Sequence, residues 1–420
     1  MPSQECTPGW RAGVAECDIT PPVGVDMTGY GNRPGPSTHL LDPLAVRALA
    51  LVPPEGAPFL LTCADLLGLD RGSIARIRQA LAPLVPPERL LLNHSHTHAG
   101  PTTASLRAMG RPDPLYIELV ERWTVTAVRE ALRNLTPVRL LFGTAPSQIG
   151  LNRRELRQGR IVLGENPAGR YDPAVSVLRV EARGSGRPFA CWFSHATHPV
   201  VMGPSNTGIS AEWPGAAAAT LRAALDCPAI FALGCCGDIN PVRRGHHDVV
   251  RSVGRELAGA AMIAWERAVP LDRFGRSWAS CARETVPLPL QIPAVAEAEA
   301  ALAGAEERLA ELRVTPSGAA LSEAQARRMV VPSLVEWARE HLAAARHGEA
   351  GTVPMDVQGI RLGDLTLMAT AAETFLAYSD AARERSRTRH TVSLGYTNGC
   401  FGYLPTADEF PRGGYEVDTA

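Results

Sequence analysis

The sequence predicts an α/β (mixed α+β) fold. Strand-length apolar runs alternate with helix-like stretches from about residue 10 to residue 290. Two of the apolar runs end in histidine clusters beside a proline, as core strands do when they deliver side chains to a site. The composition, 45% hydrophobic and 20% charged over 420 residues, suits a globular chain with enough core for one large domain or two smaller ones.

In chain order, the apolar runs predict strands at Val46–Leu51, Phe59–Ala64, Arg89–His94, Val138–Phe142, Ala174–Val180, Phe189–Ser194 and Ala229–Gly234. The spacing predicts helices over Ser73–Ala82, Asp113–Leu135, Trp213–Leu225 and Asp248–Ala268, with Pro214 near a helix start, where proline is tolerated. Residues 294–312 and most of Ser322–Arg346 are helical in pattern. A turn at Pro316-Ser317-Gly318 divides them and Pro332 breaks or kinks the second, so 294–348 reads as an antiparallel helical hairpin. Strands follow near Asp356–Leu362 and Asp364–Ala369, then a helix from Glu373 to about Arg387. The tail from Thr397, rich in Gly, Pro and aromatics, suits an ordered loop near a site. The expected organisation is one large domain over 1–420 with the hairpin 294–348 inserted.

Charge and composition exclude several classes. The net charge of −1 provides no basic field for nucleic acid or anionic lipid. All 42 basic residues are arginine, which rules out a Schiff-base or P-loop mechanism that uses the chain's own lysine. No apolar stretch reaches membrane-spanning length, and Met1–Cys6 has neither the basic head nor the apolar core of a signal peptide. A cytoplasmic protein with reduced thiols is expected, its nine cysteines forming no ladder of spacings.

The chemistry concentrates in Asn93-His94-Ser95-His96-Thr97-His98-Ala99-Gly100-Pro101, directly after Leu90-Leu91-Leu92. If the strand continues, residues two apart share a face and all three imidazoles point the same way. Neutral imidazole is a common zinc ligand and its pKa suits proton transfer. A solvated His-rich turn is the plainer alternative. A second apolar run, Pro188–Phe193, ends in Ser194-His195-Ala196-Thr197-His198-Pro199. Two distant strand ends bearing histidine fit a catalytic metal site with an open position, because the spacing is not that of a zinc finger.

Together, His96-Thr97-His98-Ala99-Gly100-Pro101, His198-Pro199, Gly237-Asp238-Ile239-Asn240-Pro241 and the C-terminal tyrosines resemble the neutral, non-lysosomal ceramidase family. Ala15–Thr20 before Pro21-Pro22 and Met27-Thr28-Gly29-Tyr30 add to the match. The resemblance runs from about residue 12 to residue 417 in the family's order, and implies a zinc (Zn2+) amide hydrolase whose metal is held by two His, one Glu and one Tyr. Matched motif by motif, the implied ligands are His96, His198, Glu373 and Tyr403. The implied catalytic residues are His98, Arg153, Asn240 and Tyr415, the last twelve residues after Tyr403. Zinc would lower the pKa of a bound water towards about 7, while His98 and Tyr415 would hydrogen-bond the developing oxyanion.

Each position also has a plainer reading. Glu373 could sit in the first turn of a helix, favoured by the dipole, and Tyr403 and Tyr415 could pack a loop. His94 and His195 read as hydrogen-bonded core or site-supporting residues, His246-His247 as a solvated helix start, and Asp238 as a turn residue or a support for the site.

The chain departs from the family at Asn240, where ceramidases carry a catalytic serine. An amide is neither nucleophile nor general base at neutral pH, so a serine-type covalent route is excluded at this position. The family's further C-terminal β-sandwich would lie beyond Ala420, and no export signal is seen. The expected partner is therefore a soluble small or N-acylated amide rather than membrane ceramide, with no nucleic acid and no stable membrane insertion; self-association is left open. Ester cleavage or intramolecular amide formation at the same site, and zinc binding without catalysis, are the alternatives. Specificity is expected from loops around Met27–Pro36, Ala104–Pro114 and Gly203–Glu212.

Overall fold

The computed structural model describes residues 9–106, 109–272, 278–314, 335–348 and 351–418. A nine-stranded mixed sheet forms its centre. Across it run Ala229–Leu233, Pro188–His195, Ala174–Ala182, Thr136–Pro146, Arg11–Asp18, Ala45–Val52, Phe59–Ala64 and Leu90–His94, with Val269–Pro270 also paired to Thr136–Pro146. The outer pairs, Pro188–His195 with Ala229–Leu233 and Phe59–Ala64 with Leu90–His94, are parallel. Every residue of Phe59–Ala64, Leu90–His94 and Ala229–Leu233 is buried, as continuous apolar runs require when both faces are covered.

Helices Arg71–Leu81 and Pro114–Arg133 cover one part of this sheet, and Glu212–Leu225 with His247–Glu266 another. On the opposite face of the sheet a third apolar cluster joins Leu49, Leu61, Leu91, Phe142, Trp192 and Ile230 to Ile360 and Leu367. The two edge strands approach each other at Asn93. Its carboxamide accepts from Leu233 N (2.8 Å) and donates to Gly395 O (3.0 Å). Strand ends carrying His94, His195 and Leu233 therefore converge on one region.

A four-stranded sheet, Ala279–Pro289, Thr352–Leu362, Leu365–Thr370 and His390–Leu394, packs beside the centre. Its first two strands are joined through the helical excursion expected from the sequence. Helix Val295–Val314 and the helical residues 335–347 run antiparallel, because Glu299 pairs with Arg346 and Glu306 with Arg339. Pro316-Ser317-Gly318 and Pro332 lie outside the described residues.

Three expectations need correction. The period-two reading of the first histidine cluster fails, because the strand ends at His94. Ser95 N and His96 N turn back to Ala64 O and Leu66 O, and His96 takes a left-handed φ of 58°. Glu373 does not open a helix. It lies on the short strand Glu373–Thr374, and the helix is Leu376–Arg385. His247 is not merely solvated, since its Nε2 sits 2.8 Å from Asp42 Oδ2. The strand Arg11–Asp18 and the hairpin Gly150–Arg157/Arg160–Asn166 were not anticipated. The hairpin has a two-residue Gln158-Gly159 turn, both with positive φ (51° and 77°), a signal legible in hindsight.

Candidate metal centre

The centre forms where three chain segments leave the ends of buried strands. His98 N donates to Pro199 O (3.4 Å), and His198 N donates to Ile239 O (3.2 Å), which binds the two histidine loops and the Gly237–Pro241 segment together. The ligand atoms of His96, His98 and His198 all lie within 4.8 Å of one another. Glu373 Oε2 stands 3.0 Å from His198 Nε2 and 3.4 Å from His96 Nε2. No ion pair or hydrogen bond joins Glu373 to His98 among the described residues. Distance alone groups three imidazoles, and the carboxylate singles out His96 and His198.

Backbone acceptors fix the tautomers of those two rings. His96 Nδ1 lies 2.8 Å from Leu67 O, and His198 Nδ1 lies 2.6 Å from Cys236 O and 3.0 Å from Ile239 O. Carbonyls only accept, so Nδ1 carries the proton in each ring and Nε2 of a neutral imidazole presents a lone pair. Burial pushes His198 down to about 4, so the ring is neutral at pH 7. Burial would raise Glu373, but the adjoining His96 and His198 outweigh it and hold the carboxyl well below its usual range. His96 Nε2, His198 Nε2 and Glu373 Oε2 thus face one another at the centre. His96 Nε2 makes no hydrogen bond, and neither do His98 Nδ1 and Nε2, although all three atoms are buried. Buried acceptors of this kind call for a cation, and this donor set fits one.

Burial, then His96 and His198, hold His98 well below the usual histidine range. Its ring packs edge-on against Tyr30 (centroids 5.0 Å apart) and over Gly29, where an added Cβ would meet His98 Cγ at 2.5 Å. The loop containing both is anchored by Arg33, which donates to Thr28 O (3.2 Å), His98 O and Asn206 O. The expected specificity loops at 27–36 and 203–212 therefore meet beside His98.

Arg153, on strand Gly150–Arg157, reaches the centre from the other side. Its Nη1 contacts Asn240 Oδ1 (3.3 Å) and His198 Nδ1 (3.4 Å), and its Nε donates to Glu416 Oε1 (2.7 Å). Tyr403 pairs in register with Glu373 on adjacent strands, Arg153 Cζ sits 5.2 Å from its ring, and Tyr415 packs 5.5 Å from it. All eight residues singled out in the sequence thus lie in one neighbourhood, with Tyr403 turned towards Arg153. Asp238 is a brace. Its oxygens accept from Leu376 N (2.9 Å) and Asn152 Nδ2 (3.2 Å), and burial raises it to about 6. His94 and His195 serve structure, the first bonding Tyr396 O (3.0 Å), the second Tyr171 Oη (2.9 Å) and Ala174 O (3.0 Å). All eight described cysteines are free, as expected.

Sequence reading missed Tyr396 and Glu416. Tyr396 is buried, its ring 4.2 Å from that of His96. Glu416, 1% exposed, holds Arg153 and Arg154 at once. Tyr396 belongs to no motif that marks it, and Glu416 follows Tyr415 in Gly414-Tyr415-Glu416, where the tyrosine alone drew a role.

The mixed sheet and its flanking helices have the fold of ceramidases of known structure. The chain is similar to the neutral ceramidase from Pseudomonas aeruginosa, with a TM-score of 0.71 and 20% identity over 97% of this chain and 70% of that one. It is also similar to a ceramidase complexed with C2, with a TM-score of 0.72 and 19% identity over 97% of this chain and 71% of that one. At these identities the likeness is one of fold. No protein-family model matches the sequence, and no curated protein does.

Proposed function

We propose that this chain is a zinc-dependent amidohydrolase that cleaves a C–N amide bond of a soluble small or N-acylated substrate. The observation that carries this reading is the meeting of His96 Nε2, His198 Nε2 and Glu373 Oε2, the carboxylate oxygen lying 3.4 Å and 3.0 Å from the two nitrogens. The ceramidase-like fold supports an amide as the bond attacked. Zinc bound there would supply a Lewis acid and a water activated at neutral pH.

The chain's own residues account for the rest. Neutral His98 has one N–H to offer a developing oxyanion and one lone pair to take up a proton, which it can return to the leaving amine. Arg153 Nη2 is buried without a hydrogen-bond partner and is a further donor beside Asn240. Tyr415, 38% exposed, stands at the solvent side of the centre, placed to orient substrate. Asn240 cannot form an acyl intermediate; its carboxamide positions Arg153 and leaves its NH2 for a substrate acceptor. No described helix is long and apolar enough to cross a membrane. The proposed setting is the cytoplasm, with one catalytic unit carrying the helical hairpin.

Metal analysis of purified protein, with a panel of N-acyl amides, esters and amino-acid precursors assayed with and without chelator, tests this reading. Chelator-sensitive amide release is expected. Ester cleavage or amide formation without amide release would move the reading to other acyl chemistry. A zinc-loaded protein that turns over nothing would leave a binding protein.

A further inference from the structure

A cleft of about 460 Å³ lies apart from the metal centre, and its size falls within the range of small-molecule sites. None of the eight residues singled out above lines it. Strands Arg11–Asp18 and Ala45–Val52 form one wall, and helices Glu212–Leu225 and His247–Glu266 form the other. Leu44, Ala211, Ala216 and Ala219 give it an apolar floor, around which stand four arginines and three carboxylates.

These charges are not matched. Glu16 accepts from Arg47 Nε (2.7 Å) and Arg222 Nη1 (3.0 Å). Asp42 is taken by His247 Nε2 (2.8 Å) and Ser210 Oγ, and Asp18 Oδ1 by the Thr20 amide (2.8 Å). Arg251 and Arg255 make no ion pair or hydrogen bond among the described residues. They stand four residues apart on one helix, where side chains are neighbours and like charges repel. On helix Pro114–Arg133, by contrast, Arg122 pairs with Glu118 and Arg133 with Glu130, each within one turn. Arg251 lines the cleft instead of pairing with Asp248, three residues before it.

We propose that this cleft binds a small organic anion. Its carboxylate or phosphate sits between Arg251 and Arg255, whose planar guanidiniums match the oxygens of either group. Its apolar body lies on Leu44, Ala216 and Ala219. Binding makes and breaks no covalent bond, and it relieves the repulsion between the two arginines. The site does not depend on the metal reading.

Isothermal titration calorimetry on chelator-treated protein, which has no bound metal to attract an anion, tests the site. The probes are inorganic phosphate, hexanoate and hexyl phosphate. At least one organic probe should bind saturably, one per chain, at least tenfold more tightly than inorganic phosphate, and the tighter of the two names the anionic group. Binding should weaken at least tenfold in the double variant Arg251→Gln/Arg255→Gln, and it should weaken as salt is raised. Both arginines are exposed, so the fold should survive, and a thermal melt checks it. Ala219→Leu, which fills the floor, should weaken the organic probes and spare inorganic phosphate. No saturable binding of either organic probe to the wild type overturns the proposal, as does unchanged binding in the double variant. Inorganic phosphate binding as tightly as the organic probes also overturns it, leaving an adventitious anion only.

Discussion

Replacing Glu416 by glutamine should destabilise the chain far more than replacing a surface acid. Glu416 accepts from Arg153 Nε at 2.7 Å and from Arg154 Nη1 at 2.6 Å, with the side chains of all three at most 5% exposed. Glutamine keeps the shape, removes the charge and turns an NH2 towards a guanidinium. Arg154 retains Glu409 (2.7 Å), but no other carboxylate pairs with Arg153 among the described residues. Breaking a buried pair costs about 3–5 kcal/mol, and the partner kept by Arg154 points to the lower end, about 3 kcal/mol. An unfolding entropy of about 2.1 cal/mol/K per residue gives about 0.9 kcal/mol/K for a chain of this length, hence a Tm drop of about 3–4 °C. Differential scanning calorimetry reads this, with Arg122→Ala as control. Arg122 and Glu118 are 73% and 55% exposed, and losing such a pair costs less than about 0.5 kcal/mol. Because Glu416 adjoins Tyr415, turnover should fall as well. Equal melting of Glu416→Gln and the control would refute the argument that this carboxylate clamps the C-terminal segment onto the centre.

Three further outcomes are expected. Removing metal with a chelator should lower Tm, since saturation at about 1,000 Kd contributes about 4 kcal/mol, roughly 4–5 °C here; re-addition of zinc should restore it, and an unchanged melt would count against a resident ion. Gly29→Ala, at φ 94° and against the His98 ring, should cost about 1–3 kcal/mol and turnover with it, as read by urea denaturation and assay; a neutral result would mean the loop moves freely. Burial holds His195 at about 4 against an ordinary 6.5, so the unfolded chain binds the extra proton between those values. Stability from this residue is present above pH 6.5 and is lost as pH falls towards 4. Between pH 7 and pH 5 the loss is about 2 kcal/mol, and denaturation of His195→Gln at both values should show a correspondingly smaller drop.

How far the sequence reaches can be judged element by element. Phe59–Ala64 and Ala229–Leu233 were legible because fully buried parallel strands are unbroken apolar runs. Helices Pro114–Arg133 and His247–Glu266 were legible from their periodicity. The half-exposed strand Arg11–Asp18 was not, because its burial alternates irregularly. Six motifs in order brought His96, His98, Arg153, His198, Asn240, Glu373, Tyr403 and Tyr415 forward, and the fold places them in one neighbourhood.

By itself, the sequence determined which segments are core, since local periodicity and apolar content are properties of short windows. It also determined the chemical stock: no lysine, imidazoles at two strand ends, and an amide where a serine was expected. Only the tertiary structure decided which side chains share an atom's reach. His96 turns out of its strand, Glu373 sits on a strand rung, and Tyr396 arrives 198 residues after His198 to stand 3.3 Å from it. Such contacts depend on backbone turns and long-range closure, which no local pattern encodes.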